Sequence, residues 1–172
     1  GTGGHIFPSL NLAKFLNKNY NLQIVSDDRG SKFLKKNENI KIKIINSGTI
    51  YKNNFLNSIF GVLKIITAFI YSLCYLIYSR PNLIIGMGGY ASFPICIAGF
   101  FLRIPVIIYE NNLIIGRANK FLLPIVKKIM LSTENTSGID PKYKYKSFVC
   151  GYILNENIYN LDNPKKMSDS YK

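Results

Sequence analysis

Short apolar segments typical of buried β-strands alternate along this chain with segments of helical periodicity. Strands are predicted at residues 22–25, 40–45, 83–85, 105–109, 128–131 and 147–150. Helices are predicted at residues 6–16, 32–36, 59–78, 94–102 and 117–126. Strands that alternate with helices form βαβ units, which place parallel strands in one sheet through right-handed crossovers. The pattern therefore predicts an α/β fold, a Rossmann-like parallel sheet with helices on both faces.

The sequence starts within a glycine-rich turn, Gly1-Thr2-Gly3-Gly4-His5. Three glycines let backbone N–H groups approach a phosphate closely, and the helical segment behind them would add the positive end of a helix dipole. A GxGG segment by itself is more often a tight turn than a phosphate site. Since such turns follow a buried strand, we expect the sheet to include a first strand that precedes residue 1.

Two further polar clusters follow predicted strands. Residues 86–94 form a second glycine-rich turn after strand 83–85, and Glu110-Asn111-Asn112 follows strand 105–109. Ligands of an open parallel sheet bind outside the carboxyl ends of its strands, which is where all three clusters would lie. Neither glycine turn is a Walker A loop or a GxGxxG dinucleotide fingerprint. Together the clusters predict a ligand site in which two glycine turns present N–H groups to phosphates.

Charge and cysteine content narrow the range of partners. The chain has 22 Lys and Arg against 9 Asp and Glu, a formal charge of +13, which favours polyanions such as nucleic acid, anionic lipid or nucleotide phosphates. No arginine-rich tract or RNA-binding module is present, so nucleic acid is not expected. The cysteines, Cys74, Cys96 and Cys150, are far apart and lack a histidine cluster, which indicates a reduced cytosolic setting without a metal site.

Residues 59–78 form an apolar stretch with a single charge, Lys64. Its length and composition meet the threshold for a transmembrane helix. The polar tips of Tyr71, Tyr75 and Tyr78, and the strand that follows at once, favour a helix packed on the sheet with an unusually apolar outer face. That face would dock on an anionic membrane surface or cover another subunit, and a spanning helix is the alternative.

The same motifs resemble those of the MurG family, UDP-N-acetylglucosamine transferases that add the second sugar to the lipid-linked peptidoglycan precursor. The family's GGTGGH-x-x-P matches residues 1–8 less its first glycine, and its GxGGYxSxP matches residues 86–94 in full. Its HEQN box is matched at two of four positions by residues 109–112, and the following G-x-x-N by residues 116–119. The likeness extends from residue 1 to about residue 151.

The resemblance implies the N-terminal half of a GT-B glycosyltransferase. Residues 1–155 would form the acceptor-binding domain without its first strand, residues 156–172 a polar linker or tail, and the C-terminal donor-binding domain would be absent. The implied reaction is inverting transfer of N-acetylglucosamine from UDP-GlcNAc to a lipid-pyrophosphate-linked muramyl peptide. It would need no metal or other cofactor and would occur at the cytoplasmic face of the bacterial inner membrane, on a peripheral protein. The fragment alone is expected to be inactive.

The resemblance also implies roles for individual residues. His5 would be the general base that deprotonates the acceptor hydroxyl, and Glu110 is the second candidate, either as base or as the group that orients the acceptor. The residues implied to reach the donor are Thr2, Gly3, Gly4 and Asn112. The residues implied to hold the acceptor diphosphate are Gly88, Gly89, Tyr90 and Ser92.

The chain departs from the family pattern at three places. Tyr109 replaces the family's histidine, Asn111 replaces its glutamine, and residues 151–155 replace a Gly-Asn-Pro-Val-Arg segment whose arginine would contact the donor. An alternative function is therefore a non-catalytic membrane-anchoring subunit of a split UDP-sugar transferase, which would recruit a separate donor-binding protein.

Overall fold

The computed structural model describes residues 3–34, 40–45 and 55–155, with the backbone alone for residues 55–60. The helices are α1 (Gly3–Leu16), α2 (Asp28–Leu34), α3 (Phe55–Ser79), α4 (Gly89–Phe101) and α5 (Arg117–Leu122), with a 3₁₀ helix at Pro141–Lys146. The strands are β1 (Gln23–Ser26), β2 (Lys41–Ile44), β3 (Ile84–Gly86), β4 (Val106–Glu110), β5 (Lys128–Leu131) and β6 (Ser147–Val149).

Every strand pair in the described residues is parallel, which confirms the predicted α/β class. Strands β3 to β6 pair in sequence order, with Ile84 opposite Val106 and Ile129 opposite Ser147. Strands β1 and β2 pair separately, so the described strands form two sheets where a single sheet was expected. Val25 of β1 packs against the core of the larger sheet, and both sheets therefore belong to one folded unit. The strand predicted before residue 1 stays a prediction.

Two apolar clusters hold these layers together. The larger one includes Ile108, Leu122 and Ile129, which are fully buried between the four-stranded sheet and the helices that cross it. The smaller one joins Ile6, Leu10 and Ala13 of α1 to side chains from β1 and α2. The spacing of those three residues is that of one helix face, as predicted.

Helices α1 and α4 begin earlier than predicted. The expected starts were residues 6 and 94, because apolar periodicity gives no helical signal for the glycines that precede them. Instead α1 starts at Gly3 and α4 at Gly89, and Pro8 and Pro94 lie inside them. The glycine motifs therefore form first helical turns, whose N–H groups have no partner within the helix and can bind a ligand.

Other boundaries also differ from the predictions. Helix α5 ends at Leu122 and not at residue 126, because Pro124 cannot donate to the helix. The short helix predicted at 32–36 occupies Asp28–Leu34, and residues 35–39 lie outside the described residues. Helix α3 begins at Phe55 and not at residue 59; residues 46–54 lie outside the described residues. Asn57 and Ser58 are only weak helix breakers at the start of a long apolar helix.

Helix α3 has an apolar outer face, as predicted, but its main packing partner is α4, where packing on the sheet was expected. Ala68, Ser72 and Leu76 recur every four residues and are buried. On the other side, Val62, Ile66, Ile70, Ile77 and Tyr78 are exposed. The segment Gly61–Ser79 has a mean hydropathy of 1.7 and is long and apolar enough to cross a membrane by these two criteria alone.

Candidate functional site

A cleft of about 180 Å³ lies at the carboxyl ends of β3 and β4. Helices α1, α4 and α5 begin beside it. Six of the ten predicted site residues line this cleft, namely His5, Gly88, Gly89, Tyr90, Glu110 and Asn112. The fold therefore brings together three motifs that are far apart in the sequence: His5 precedes Gly88 by 83 positions and Glu110 by 105.

His5 contacts the second glycine turn directly. A Cβ atom placed on Gly88 would lie 2.9 Å from Cε1 of His5, and one placed on Gly89 would lie 3.2 Å from Cδ2. Gly88 and Gly89 also have positive φ angles of 83° and 75°, which favour glycine. Any larger residue at position 88 would displace the imidazole, so the two glycine motifs form one structural unit.

The imidazole has an unused polar atom. Nδ1 of His5 is buried and has no hydrogen-bond partner among the described residues. Buried polar atoms in native proteins are nearly always paired with protein, water or a ligand. Nδ1 faces the Gly88 turn, whereas the partly exposed ring lines the cleft, so a molecule there would meet the other edge of the imidazole.

Glu110 is almost fully buried, with 1% of its surface exposed, and both of its oxygens accept hydrogen bonds. Oε1 accepts from the backbone N–H of Asn112 at 3.0 Å and from its side-chain amide at 2.7 Å. Oε2 accepts from the N–H of Gly116 at 2.8 Å and from the amide of Asn119 at 2.9 Å. The carboxylate thereby holds loop 111–116 against the end of β4. These bonds favour an orienting role for Glu110 over that of a base.

Four residues of the cleft lining were not predicted as site residues: Gly116, Arg117, Ala118 and Asn119. The amide of Asn119 donates to Glu110 and also to the carbonyl oxygen of Tyr109, at 3.0 Å. Its place in the G-x-x-N spacing, in the first turn of a helix, was an available signal. Arg117 lines the cleft from the same helix. Nothing in the sequence distinguishes this arginine from the other basic residues.

The remaining predicted residues fall outside the cleft lining. Gly3 and Gly4 form the first turn of α1, and Gly4 faces open space. The hydroxyl of Ser92 donates to the carbonyl oxygen of Gly89 at 2.9 Å, so its contact lies within α4 and not with the cleft. Thr2 lies outside the described residues.

Tyr109 and Asn111, two of the departures from the family pattern, contact each other. The buried phenol of Tyr109 lies 3.1 Å from Oδ1 of Asn111 and 3.2 Å from the carbonyl oxygen of Gly151, and the N–H of Ile153 donates to it at 3.3 Å. This phenol ties the segment that follows β6 to the end of β4.

A second cleft of about 290 Å³ lies between the segment that follows β6 and α1, lined in part by Phe7, Asn11 and Asn111.

The electrostatics of the first cleft favour an anionic ligand. The N-terminal ends of α1 and α4 carry unpaired N–H groups and partial positive charge, and Arg117 adds a full positive charge. The only carboxylate that lines the cleft, that of Glu110, is already bound by four donors.

Residues 1–131 match the model of the glycosyltransferase family 28 N-terminal domain. The chain belongs to glycosyltransferase family 28. Among its family 28 relatives is the UDP-N-acetylglucosamine–N-acetylmuramyl-(pentapeptide) pyrophosphoryl-undecaprenol N-acetylglucosamine transferase of Pelagibacter ubique, 33% identical over 176 residues, covering 99% of this chain and 47% of the relative. The enzyme of the same name from Rickettsia felis is 33% identical over 174 residues, covering 100% and 47%. The chain thus spans about half the length of these curated relatives.

Solved structures agree with this family 28 assignment. The crystal structure of Acinetobacter baumannii MurG matches with a TM-score of 0.70 and 28% identity, covering 88% of this chain and 42% of that one. A UDP-N-acetylglucosamine 2-epimerase from Rickettsia bellii matches with a TM-score of 0.57 at 14% identity, which shows a shared fold alone. The resemblance to the MurG family and the predicted N-terminal half of a GT-B fold are confirmed. The comparisons lend no support to the non-catalytic anchoring subunit, and the roles of single residues stay predictions.

Proposed function

We propose that this family 28 chain is the acceptor-binding half of an inverting glycosyltransferase of peptidoglycan synthesis. The reaction moves N-acetylglucosamine from UDP-GlcNAc to a lipid-pyrophosphate-linked muramyl peptide, the activity stated in the names of the relatives. The observation that carries the proposal is the contact of His5 with the second glycine turn inside an electropositive cleft.

The acceptor diphosphate binds at the start of α4 in this proposal. The N–H groups of the first turn, at Gly89 and Tyr90, lack helical partners and face an anion favourably. Arg117 supplies a counter-charge from the other side of the cleft. Because Gly88 and Gly89 have no side chains, the imidazole of His5 can pack against this turn and line the same cleft.

His5 accepts the proton of the acceptor hydroxyl as that oxygen attacks the anomeric carbon of the donor sugar. The new C–O bond forms on the face opposite the leaving group, the bond from the anomeric carbon to the phosphate oxygen breaks, and UDP departs with the electron pair. N–H groups of α1 stabilise the charge that develops on UDP. Glu110 acts through Asn112 and Asn119, whose amides it orients.

A transfer assay tests this function. The open reading frame that contains the chain should transfer radiolabelled N-acetylglucosamine from UDP-GlcNAc to a synthetic lipid-linked muramyl pentapeptide, with inversion at the anomeric carbon detected by NMR. Residues 1–172 alone should give no product. A folded product of the whole frame that transfers no label, or retains the anomeric configuration, would contradict the proposal.

We also propose that the protein docks peripherally on the cytoplasmic face of the inner membrane through the outer face of α3. Support comes from the exposed side chains of Val62, Ile66 and Ile70, which share one side of α3, and from the formal charge of +13. An apolar helix face on a protein of net positive charge binds the interface of an anionic bilayer.

Liposome flotation tests the docking. The chain should float at low salt with vesicles that contain phosphatidylglycerol, and Ile66→Ser/Ile70→Ser should lower the bound fraction by about tenfold or more, since each isoleucine contributes about 1.5–3 kcal/mol when fully buried. Phe15→Ser is the matched control, because Phe15 is 70% exposed on α1. Equal flotation of the α3 variant and the parent chain would exclude this face as the docking surface.

A further inference from the structure

A line of apolar side chains crosses the outer side of α4, starting at the cleft. Along α4 its members are separated by three or four residues, so that they share one side of the helix. We call this surface the α4 track; it consists of Tyr90, Phe93, Ile97 and Phe101 of α4, with Phe121 of α5 and Phe69 of α3. Tyr90 lines the cleft, and Phe101 is the last residue of the helix.

Aromatic pairs join the track to both neighbouring helices. Phe93 meets Phe121 edge-on, with ring centroids 6.3 Å apart, and Phe69 meets Phe101 in the same way at 5.8 Å. Phe121 is 72% exposed and Phe101 is 66% exposed. Phe69, Phe93 and Ile97 between them are partly buried against the core. An apolar patch on a protein surface marks a binding site. The track therefore connects the phosphate cleft, beside α5, with the apolar outer face of α3.

The charges along the track fit a ligand with an anionic head and an apolar tail. Arg117 lines the cleft and lies one helical turn before Phe121, so a cation and the apolar surface adjoin on α5. The sequences of α4 and α5 contain no aspartate or glutamate. From Tyr90 to Phe101 the track is about 16 Å long at 1.5 Å per residue.

We propose that the α4 track binds the part of the acceptor's polyprenyl chain that adjoins its pyrophosphate. This proposal rests on the proposed function, which places the pyrophosphate in the cleft. If the lipid tail enters the membrane beside α3, the part of the polyprenyl chain between the membrane and the cleft must cross the surface of the domain. On a polar surface this hydrocarbon would remain exposed to water, whereas contact with an apolar surface stabilises it by about 25 cal/mol for each Å² that is buried. The α4 track lies between the cleft and α3, where this contact would form.

Binding of short isoprenyl diphosphates to residues 1–172 tests the track. Dissociation constants are measured by calorimetry for inorganic pyrophosphate and for dimethylallyl, geranyl and farnesyl diphosphate, each below its micelle concentration. Affinity should rise by about tenfold or more from the dimethylallyl to the farnesyl compound, because the added isoprene units bury methylene and methyl groups at up to about 0.8 kcal/mol each.

Phe121→Ser and Phe101→Ser should each reduce this gain with chain length while the affinity for inorganic pyrophosphate stays within about twofold, since neither residue lines the cleft. Both side chains are highly exposed, so the variants should fold. Phe15→Ser, at a similarly exposed phenylalanine of α1, should retain the full gain.

The outcomes separate the track from the function on which it rests. If pyrophosphate binds and the affinity does not rise with prenyl chain length, the proposal for the α4 track is wrong and the proposed acceptor site stands. If none of the diphosphates binds, both proposals are wrong. If Phe15→Ser reduces the gain as much as Phe121→Ser, binding is non-specific and the track is wrong. If the parent chain sediments as a dimer and Phe121→Ser as a monomer, a second copy covers the track, which also overturns the proposal.

Discussion

His5→Ala should lower the turnover of the sugar transfer by about 100-fold or more in the protein that carries both domains, within the range expected for loss of a general base. The imidazole lines the cleft, where the other titratable side chains are Tyr90, Arg117 and Glu110, and the carboxylate of Glu110 already accepts four hydrogen bonds. The measurement is release of UDP at saturating UDP-GlcNAc and varied acceptor.

The kinetic pattern distinguishes a base from a binding residue. A base acts in the transition state, so kcat should fall while the KM for acceptor changes little. Ser9→Ala is the control on the same helix turn: its hydroxyl donates to the backbone oxygen of His5 at 2.7 Å and does not touch the ring. That variant should keep turnover within about twofold, as expected for a local side-chain hydrogen bond to a helix carbonyl. Near-normal turnover of His5→Ala would remove the imidazole from the role of base.

Glu110→Gln should lower the free energy of unfolding by about 3 kcal/mol, because one carboxylate oxygen would be replaced by an NH₂ group that faces two donors. The donors are the backbone and side-chain N–H groups of Asn112 on one oxygen, and those of Gly116 and Asn119 on the other. With the carboxylate buried to 1% exposure, water cannot replace the lost bonds. Urea unfolding followed by circular dichroism measures the change.

Glu134→Gln is the matched control for this stability measurement. Glu134 is exposed, and its substitution should change the free energy of unfolding by no more than about 0.5 kcal/mol. If Glu110→Gln unfolded at the same urea concentration as the parent chain, the four hydrogen bonds would contribute nothing to the fold. The assignment of Glu110 as an orienting residue would then be wrong.

Local pattern predicted most of the fold. Each strand from β1 to β6 lies within or next to a predicted apolar segment, because burial of a short strand requires a short apolar run flanked by turn residues. The starts of α1 and α4 were predicted late, because glycine is a poor helix former and both glycine motifs were assigned to turns, whereas each contributes to a first helical turn. The division of the strands into two sheets could not be predicted, because strand neighbours are chosen by long-range pairing.

The sequence predicted several residues of the candidate site but not how they contact one another. Glycine turns and a carboxylate at strand ends are local signals, so His5, Gly88, Gly89 and Glu110 were named from sequence. Ser92 was included by motif, yet its hydroxyl bonds within α4. Arg117 was missed, because nothing in its neighbouring sequence distinguishes it from the other 21 of the 22 lysines and arginines.

The sequence by itself determined the α/β class, the family and the edge of the sheet at which the candidate site lies, because periodicity, turn chemistry and motif spacing are properties of neighbouring residues. Only the tertiary structure decided that His5 contacts Gly88 and Gly89, that Glu110 is held by four donors, and that aromatic residues of three helices form one track. These contacts join residues far apart in the chain, and the packing of helices on parallel strands sets their distances.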